Sequence, residues 1–470
     1  MEALIESCRS AFAGPQAFAR ARRHWLAHLV AFGRHTISSM LRAQNRHHLD
    51  WSADYRFYAL DRFDEDAVFN QIRSRIENAL PHARPLVVAM DDSLLRKTGR
   101  KIHGVRYLRD PLSPPFQVNL VRGLRVLQIS AALPQGSGRA RLIPIDFQPA
   151  VLPAKPRKDA PEPEWQKYKA LKAQTNINSV GYQRMAALRQ RMDQANPARR
   201  LVVCVDGRFT NKTFLQQIPE RTVILGRIRK DSVVHQLPQT QPALGRKRKY
   251  GPLLPTPEQL LKAPGVPWQT VRAWAAGQVH PFKVKRLGPV VTRLDRAARP
   301  VQILVIKPLG YRLTRGGKLL YRQPAYLICT DPQLALEEFL QQFLWRWEIE
   351  VNFRDEKTLL GVGQAQVRTE ASNQNAPALA VAAYAMLLMA SVNAYGKNGV
   401  PDRLEQAKWY RRKKKDRATT NELINQLRRE LWAEALHPEH FSHFTSRAAP
   451  DQKSPKPAVP LAAAAFLSLN

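Results

Sequence analysis

Acidic residues are scarce in this chain: 38 Asp and Glu stand against 74 Lys and Arg, a formal charge of +36 over 470 residues. That shortage excludes a chain whose charges cancel internally, since self-repulsion of this size opposes compaction unless an acidic partner is met. Candidate partners are nucleic acid, an anionic membrane surface or another polyanion. The cations recur in Arg96–Lys101, Gly245–Gly251 and Arg411–Lys415 rather than in one block. Such dispersion suits a long polyanion touched over much of the surface, and nucleic acid is the best match.

Cysteine is nearly absent. Cys8, Cys204 and Cys329 have no CxxC or metal-ligand spacing, so neither a disulfide framework nor a zinc site is indicated. Cys204 and Cys329 sit in apolar strand-like runs, where a buried small hydrophobe is the ordinary reading. A reducing, cytoplasmic compartment is expected. A signal-peptide pattern is also missing, because Glu2, Glu6 and Arg9 interrupt the first apolar stretch. Long apolar runs are few. The stretch between Glu370 and Lys397 carries no charge, yet its Ala-rich centre, Pro377 to Ala390, falls short of the ~20 apolar residues of a membrane span. Asn373, Gln374, Asn375 and Asn393 flank it, so a buried core helix is expected and a membrane is not.

What is present is an α/β pattern. Residues 1–80 read as helical and basic: Trp25, Leu26, Leu29 and Val30 form an apolar stripe, Gly33 breaks it, and a short helix starts near Thr36. A helix-turn-helix and an ordinary helical bundle both fit, and this is the expected DNA-binding region. From 85 to 230 short strands dominate. Leu86–Met90 is fully apolar and ends at Asp91-Asp92-Ser93, two strands follow at 116–120 and 124–133, and a Pro-rich loop covers 134–163. After a helix, Leu201–Val205 repeats the buried-strand pattern and ends at Asp206-Gly207. Residues 231–322 hold Pro, Gly and alternating runs such as Val301–Ile306, and read as a β-rich insertion. Residues 323–396 return to the core, with Asp331-Pro332 as a helix start. A basic helical region spans 397–445, and the Pro/Ala/Ser-rich tail 446–470 is expected to be disordered.

The helix after 331 carries the most informative pattern. At ~100° per residue, Phe343, Arg346, Glu350 and Lys357 fall within roughly 60° of arc, while Leu340, Leu344, Trp347 and Val351 form a second, core-facing stripe. A carboxylate between two cations suits a metal ion beside a polyanion, although a solvated charged face has the same look. Two apolar strands each deliver an acid, and the helix delivers a third. Strand C-termini form the rim of α/β sheets where sites assemble, so Asp91, Asp206 and Glu350 can converge. Each has an ordinary alternative: an Asp after a strand is commonly a turn residue, and Asp92 competes with Asp91. Crowded carboxylates favour a hard cation such as Mg²⁺. Two ions about 3.5–4 Å apart would serve phosphodiester cleavage and strand transfer.

These motifs resemble the DDE transposases of bacterial insertion sequences, in the branch with a Tyr-x2-Arg-x3-Glu-x6-Lys signature. Arg346, Glu350 and Lys357 match that spacing, Asp91-Asp92-Ser93 resembles the first motif and Val203–Asp206 the second, over roughly residues 20–395. The resemblance implies a ribonuclease H-like catalytic core, with Asp91, Asp206 and Glu350 as catalytic ligands of Mg²⁺ or Mn²⁺. It implies Arg346 and Lys357 on the DNA backbone, cutting at element ends through a hairpin, insertion elsewhere, and a homodimer on double-stranded DNA in a bacterial nucleoid. The signature's Tyr is Phe343 here, which keeps ring stacking and loses a phenolic hydrogen bond to phosphate. Trp345 and Trp347 are candidates to stack an unpaired base, but for Trp347 the core-facing stripe is the stronger reading. A cleavage-silent DNA-binding regulator and a structure-specific nuclease are the alternatives.

Overall fold

The computed structural model describes residues 1–110, 113–114, 116–239, 245, 247–314, 316–401 and 417–432. The basic run Arg411–Lys415, Arg246 and the 446–470 tail lie outside the described residues.

Strands β1 (Leu86–Arg96), β2 (Arg106–Arg109), β3 (Leu120–Pro134), β4 (Ala140–Pro149), β5 (Leu201–Val205) and β6 (Thr222–Arg227) build the half of the sheet that carries the site. β3 lies antiparallel to β1 and β4 antiparallel to β3, while β5 runs parallel to β1 and β6 parallel to β5. The order β4-β3-β1-β5-β6 is consistent with a ribonuclease H-like fold. The strands β7 (Val234–His235), β8 (Leu253–Leu254), β9 (Gln269–Ala275), β10 (Gln278–Thr292), β11 (Val301–Ile306) and β14 (Ala325–Cys329) extend the same sheet, with β14 pairing β6. β12 (Gly310–Tyr311) and β13 (Leu320–Tyr321) form a separate pair. Within 231–322, β7 to β11 therefore widen the core sheet through β14, while β12 and β13 stand apart from it.

The helices are α1 (Glu2–Glu6), α2 (Pro15–Val30), α3 (Ile37–Ala43), α4 (Ser52–Ala59), α5 (Glu65–Ala79), α6 (Glu162–Thr175), α7 (Ile177–Ala195), α8 (Lys212–Leu215) and α9 (Pro257–Lys262). They continue as α10 (Leu336–Trp345), α11 (Glu348–Thr358), α12 (Glu370–Tyr395) and α13 (Thr420–Trp432). Side-chain oxygens start several of them: Asp64 accepts the Ala67 N–H at 3.0 Å and Thr369 that of Ser372 at 3.2 Å. α12 is long and apolar enough to cross a membrane by length and composition. It is nevertheless mostly buried, packed against α2, α4, α5 and β4. The turn-linked pair α2–α3 also packs inward, through Trp25, Leu29, Ile37 and Leu41. The three cysteines are free and buried.

Alternation along β1 divides the core in two. Leu86, Val88 and Met90 join a cluster with α2, α5, α7 and α12, whereas Val87 and Ala89 join Phe339, Leu340, Phe343 and Ile349 of α10 and α11. Burying side chains such as Phe339 and Ile349 contributes about 1.5–3 kcal/mol each and holds the α10–α11 unit on the sheet. On the opposite face, Arg184 of α7 binds Asp146 of β4 through Nε at 3.0 and 2.9 Å and also pairs with Asp66 of α5.

Four local expectations are corrected. β1 does not end at Met90 but runs through Asp91 to Arg96, because nine residues from Val88 onward pair with β3. The 116–120 and 124–133 segments are not two strands: the second lies within the single long strand β3, which begins at Leu120, and the Pro-rich 134–163 stretch conceals β4. Asp331 does not cap α10; its carboxylate accepts the Gln333 N–H at 2.9 Å in a turn, and the helix starts at Leu336. Finally, 336–358 is two helices. The N–H groups of Arg346, Trp347, Ile349 and Glu350 all bond three residues back rather than four. Such a tight turn advances about 120° per residue, so it shifts the phase of everything after it.

Candidate active site

The same alternation places the acids. On β1, Asp91 and Ser93 continue the face of Val87 and Ala89. On β5, Val202 and Cys204 belong to that face, and Asp206 is the next even position. The parallel register pairs Met90 with Val205, so Asp91 and Asp206 stand one step beyond on adjacent strands, which are about 4.8 Å apart. α11 lies across this face and carries Glu350 and Lys357.

Asp91 is 8% exposed. One carboxylate oxygen accepts from Arg346 Nη1 at 3.0 Å and the other from the Asp92 N–H at 2.8 Å. Burial pushes its carboxyl up to about 7, with the charges of Asp206 and Glu350 adding to the rise and the Arg346 guanidinium opposing it. Asp92 is turned to other partners, Arg208 at 3.4 Å and Arg125 at 3.5 Å. Lys357 Nζ donates to Ser93 Oγ at 2.6 Å, and burial holds its ammonium below its ordinary value. Asp206 accepts the Arg208 N–H at 2.9 Å, so it also makes the turn that Asp-Gly sequences favour.

Asp91, Asp206, Arg346, Glu350 and Lys357 all line one cleft of about 1570 Å³. Among the described residues, ten Lys or Arg line it against five acids, a balance that favours a polyanion over a neutral ligand. The aromatics distribute otherwise than the helical wheel suggests. Phe343 is 9% exposed, with the Arg346 guanidinium 5.9 Å from its ring. Trp345 is 7% exposed, and its indole N–H is spent on the Gly138 carbonyl at 2.8 Å. Trp347, read as a core residue, is 63% exposed and faces the cleft. The tight turn at 346–347 is the reason, since it rotates Trp347 outward and brings Ile349 in.

Among the described residues, no three His, Cys, Asp or Glu side chains are drawn close enough to hold a metal ion as they stand. The donor chemistry still fits a hard divalent cation: Asp91 feels both other carboxylates, and that repulsion is what a cation between them relieves.

Two positioning residues escape the sequence pattern. Glu356 of α11 is 1% exposed and accepts from Gln128 Nε2 at 2.9 Å, and Gln128 is the β3 partner of Asp91 in register. A polar chain continues from Gln128 to Ser130 at 3.1 Å, from Asn352 to Ser130 at 3.1 Å and from Tyr384 to Asn352 at 3.2 Å. It ties the Glu350 helix to the Asp91 strand pair from below. The available signal was a lone Gln inside the apolar run 124–133. On its outer side α11 is held by Thr420, which donates to Asp355 at 2.6 Å, and by Arg417, which donates to Glu348 at 2.6 Å.

Neighbouring strands each present an acid to a basic cleft, facing a helix with a third, and this is the candidate site. Residues 15–280 match the DDE superfamily endonuclease family, and the chain belongs to that family. The matched stretch includes Asp91 and Asp206 and ends before Glu350. No curated protein matches the chain. Membership makes this a nucleic-acid-cleaving enzyme of the DDE type; DNA is the implied substrate, and members typically use divalent metals.

Proposed function

We propose that the chain is the transposase of a bacterial insertion sequence, cutting DNA at the element's ends through a hairpin and joining those ends to target DNA. The observation that carries this reading is the Asp91–Arg346 pair at 3.0 Å, within a cleft that also presents Asp206, Glu350 and Lys357. Asp91, Asp206 and Glu350 would hold Mg²⁺ or Mn²⁺, which supplies Lewis-acid polarisation of the phosphodiester when bound. Arg346 offers a planar fork, and release from Asp91 frees it for phosphate oxygens. Lys357 adds a point charge that its bond to Ser93 keeps in place. Trp347, exposed at the cleft, is better placed than the buried Trp345 to stack a base unpaired during hairpin formation. Phe343 supports Arg346 from beneath. Cutting two ends together calls for two copies on DNA, a homodimer.

The test incubates the purified chain and Mg²⁺ with duplex DNA bearing the inverted repeats that flank its coding region, plus a supercoiled target plasmid. Metal-dependent cuts at the repeat ends and joined products are expected, both abolished by a chelator. Cuts with no joined product would make the chain a structure-specific nuclease. Binding with no cut would make it a regulator.

A further inference from the structure

A second cationic groove, of about 1060 Å³, lies beside the cleft. One wall is the end of β1 and the turn after it, residues 94–102; the other is the 362–368 connection between α11 and α12. Seven Lys or Arg line it, and none of the described residues lining it is acidic. Leu94, Arg96 and Lys357 line both this groove and the cleft, so the two adjoin. Arg34, from the turn between α2 and α3, is exposed at the groove, as are Arg100, Lys101 and Arg368.

The walls are built. Lys97 Nζ donates to the Ala365 carbonyl at 2.8 Å, the His103 N–H to the Arg368 carbonyl at 3.0 Å, and Arg122 Nη2 to the Gly99 carbonyl at 3.1 Å. The His35 N–H donates to Gln364 Oε1 at 2.8 Å, which fixes the Arg34 turn against the same connection. A concave row of cations focuses positive potential and draws anionic ligands, and walls fixed beforehand need little ordering on binding. A merely solvated face would not gather cations from three distant segments around one hollow.

We propose that this groove holds the sugar-phosphate backbone of duplex DNA flanking the phosphate in the cleft, leading it from Lys357 toward the N-terminal helices. The assignment rests on the reading of the cleft as a DNA-cutting site. It is tested by fluorescence anisotropy of a labelled duplex of arbitrary sequence across a salt series, with three full-length proteins. These are the parent, Arg100→Ala/Lys101→Ala/Arg368→Ala, and the charge-keeping Arg100→Lys/Lys101→Arg/Arg368→Lys. Each phosphate contact contributes about −0.9 to the log–log salt slope. The alanine variant is expected to flatten that slope by about 2.7 and to weaken binding about tenfold or more, with the charge-keeping variant near the parent. An alanine variant with the parent's slope would overturn the groove while leaving the cleft reading intact. A parent that binds no duplex would overturn both. A preference of the parent for single-stranded RNA, lost in the alanine variant, would overturn DNA as the occupant.

Discussion

Asp206→Asn is expected to slow DNA cutting by about a thousandfold or more while leaving duplex binding within a few-fold of the parent. Asparagine keeps the carbonyl oxygen that accepts the Arg208 N–H, so the turn after β5 survives. What disappears is one negative charge beside Asp91, on a strand one step beyond the Met90–Val205 pair. Binding survives because the ten cations of the cleft are untouched. Metal-dependent cleavage and anisotropy on the same duplex separate the two effects. A variant that cuts like the parent removes Asp206 from the chemistry, and one that loses binding equally makes its role structural.

The second large effect concerns Glu356. Glu356→Ala removes the acceptor of Gln128 Nε2 and leaves a hollow beneath α11, and it should cost about 2–4 kcal/mol. Glu356→Gln keeps the shape and the acceptor and isolates the charge. Burial pushes the Glu356 carboxyl up to about 8 in the folded protein, against an ordinary value of 4.5. Between those values the folded chain holds a proton that the unfolded chain releases. The group's contribution is therefore complete below about 4.5 and is lost progressively as pH rises to about 8. Denaturant titrations at either end of that window are expected to show Glu356→Gln gaining on the parent as pH rises. A constant gap between the two would mean that Glu356 is ionised in the folded state. Because Gln128 sits opposite Asp91 in register, Glu356→Ala should also slow cutting more than it weakens DNA binding.

Much of the core was legible because its signals are local. Leu86–Met90 and Leu201–Val205 are short apolar runs and Val301–Ile306 an alternating one; the sheet buries all three on both faces, and the structure has strands there. β4 was hidden because Pro144 interrupts its pattern, yet pairing with β3 carries the strand past it with a register shift between Ile129 and Ser130, and Pro149 is its last residue. The wheel drawn through 343–357 failed at one place, the tight turn at Arg346 and Trp347. Tertiary bonds, Arg346 to Asp91 and Trp345 to Gly138, accompany that turn and are made with partners more than 200 residues away in sequence. No periodicity reports such contacts. Asp91, Asp206 and Glu350 could be picked as candidates from their chemistry, and all three line one cleft, whereas the Gln128–Glu356 link needs the β1–β3 register and the α11 position together.

Crystals of the parent soaked in Mn²⁺, with data collected at a wavelength sensitive to manganese, test the central claim most directly. An anomalous peak bounded by Asp91, Asp206 and Glu350 is predicted, and it should vanish in Asp206→Asn. Manganese bound elsewhere, with those three carboxylates still apart and Arg346 still on Asp91, would contradict the account.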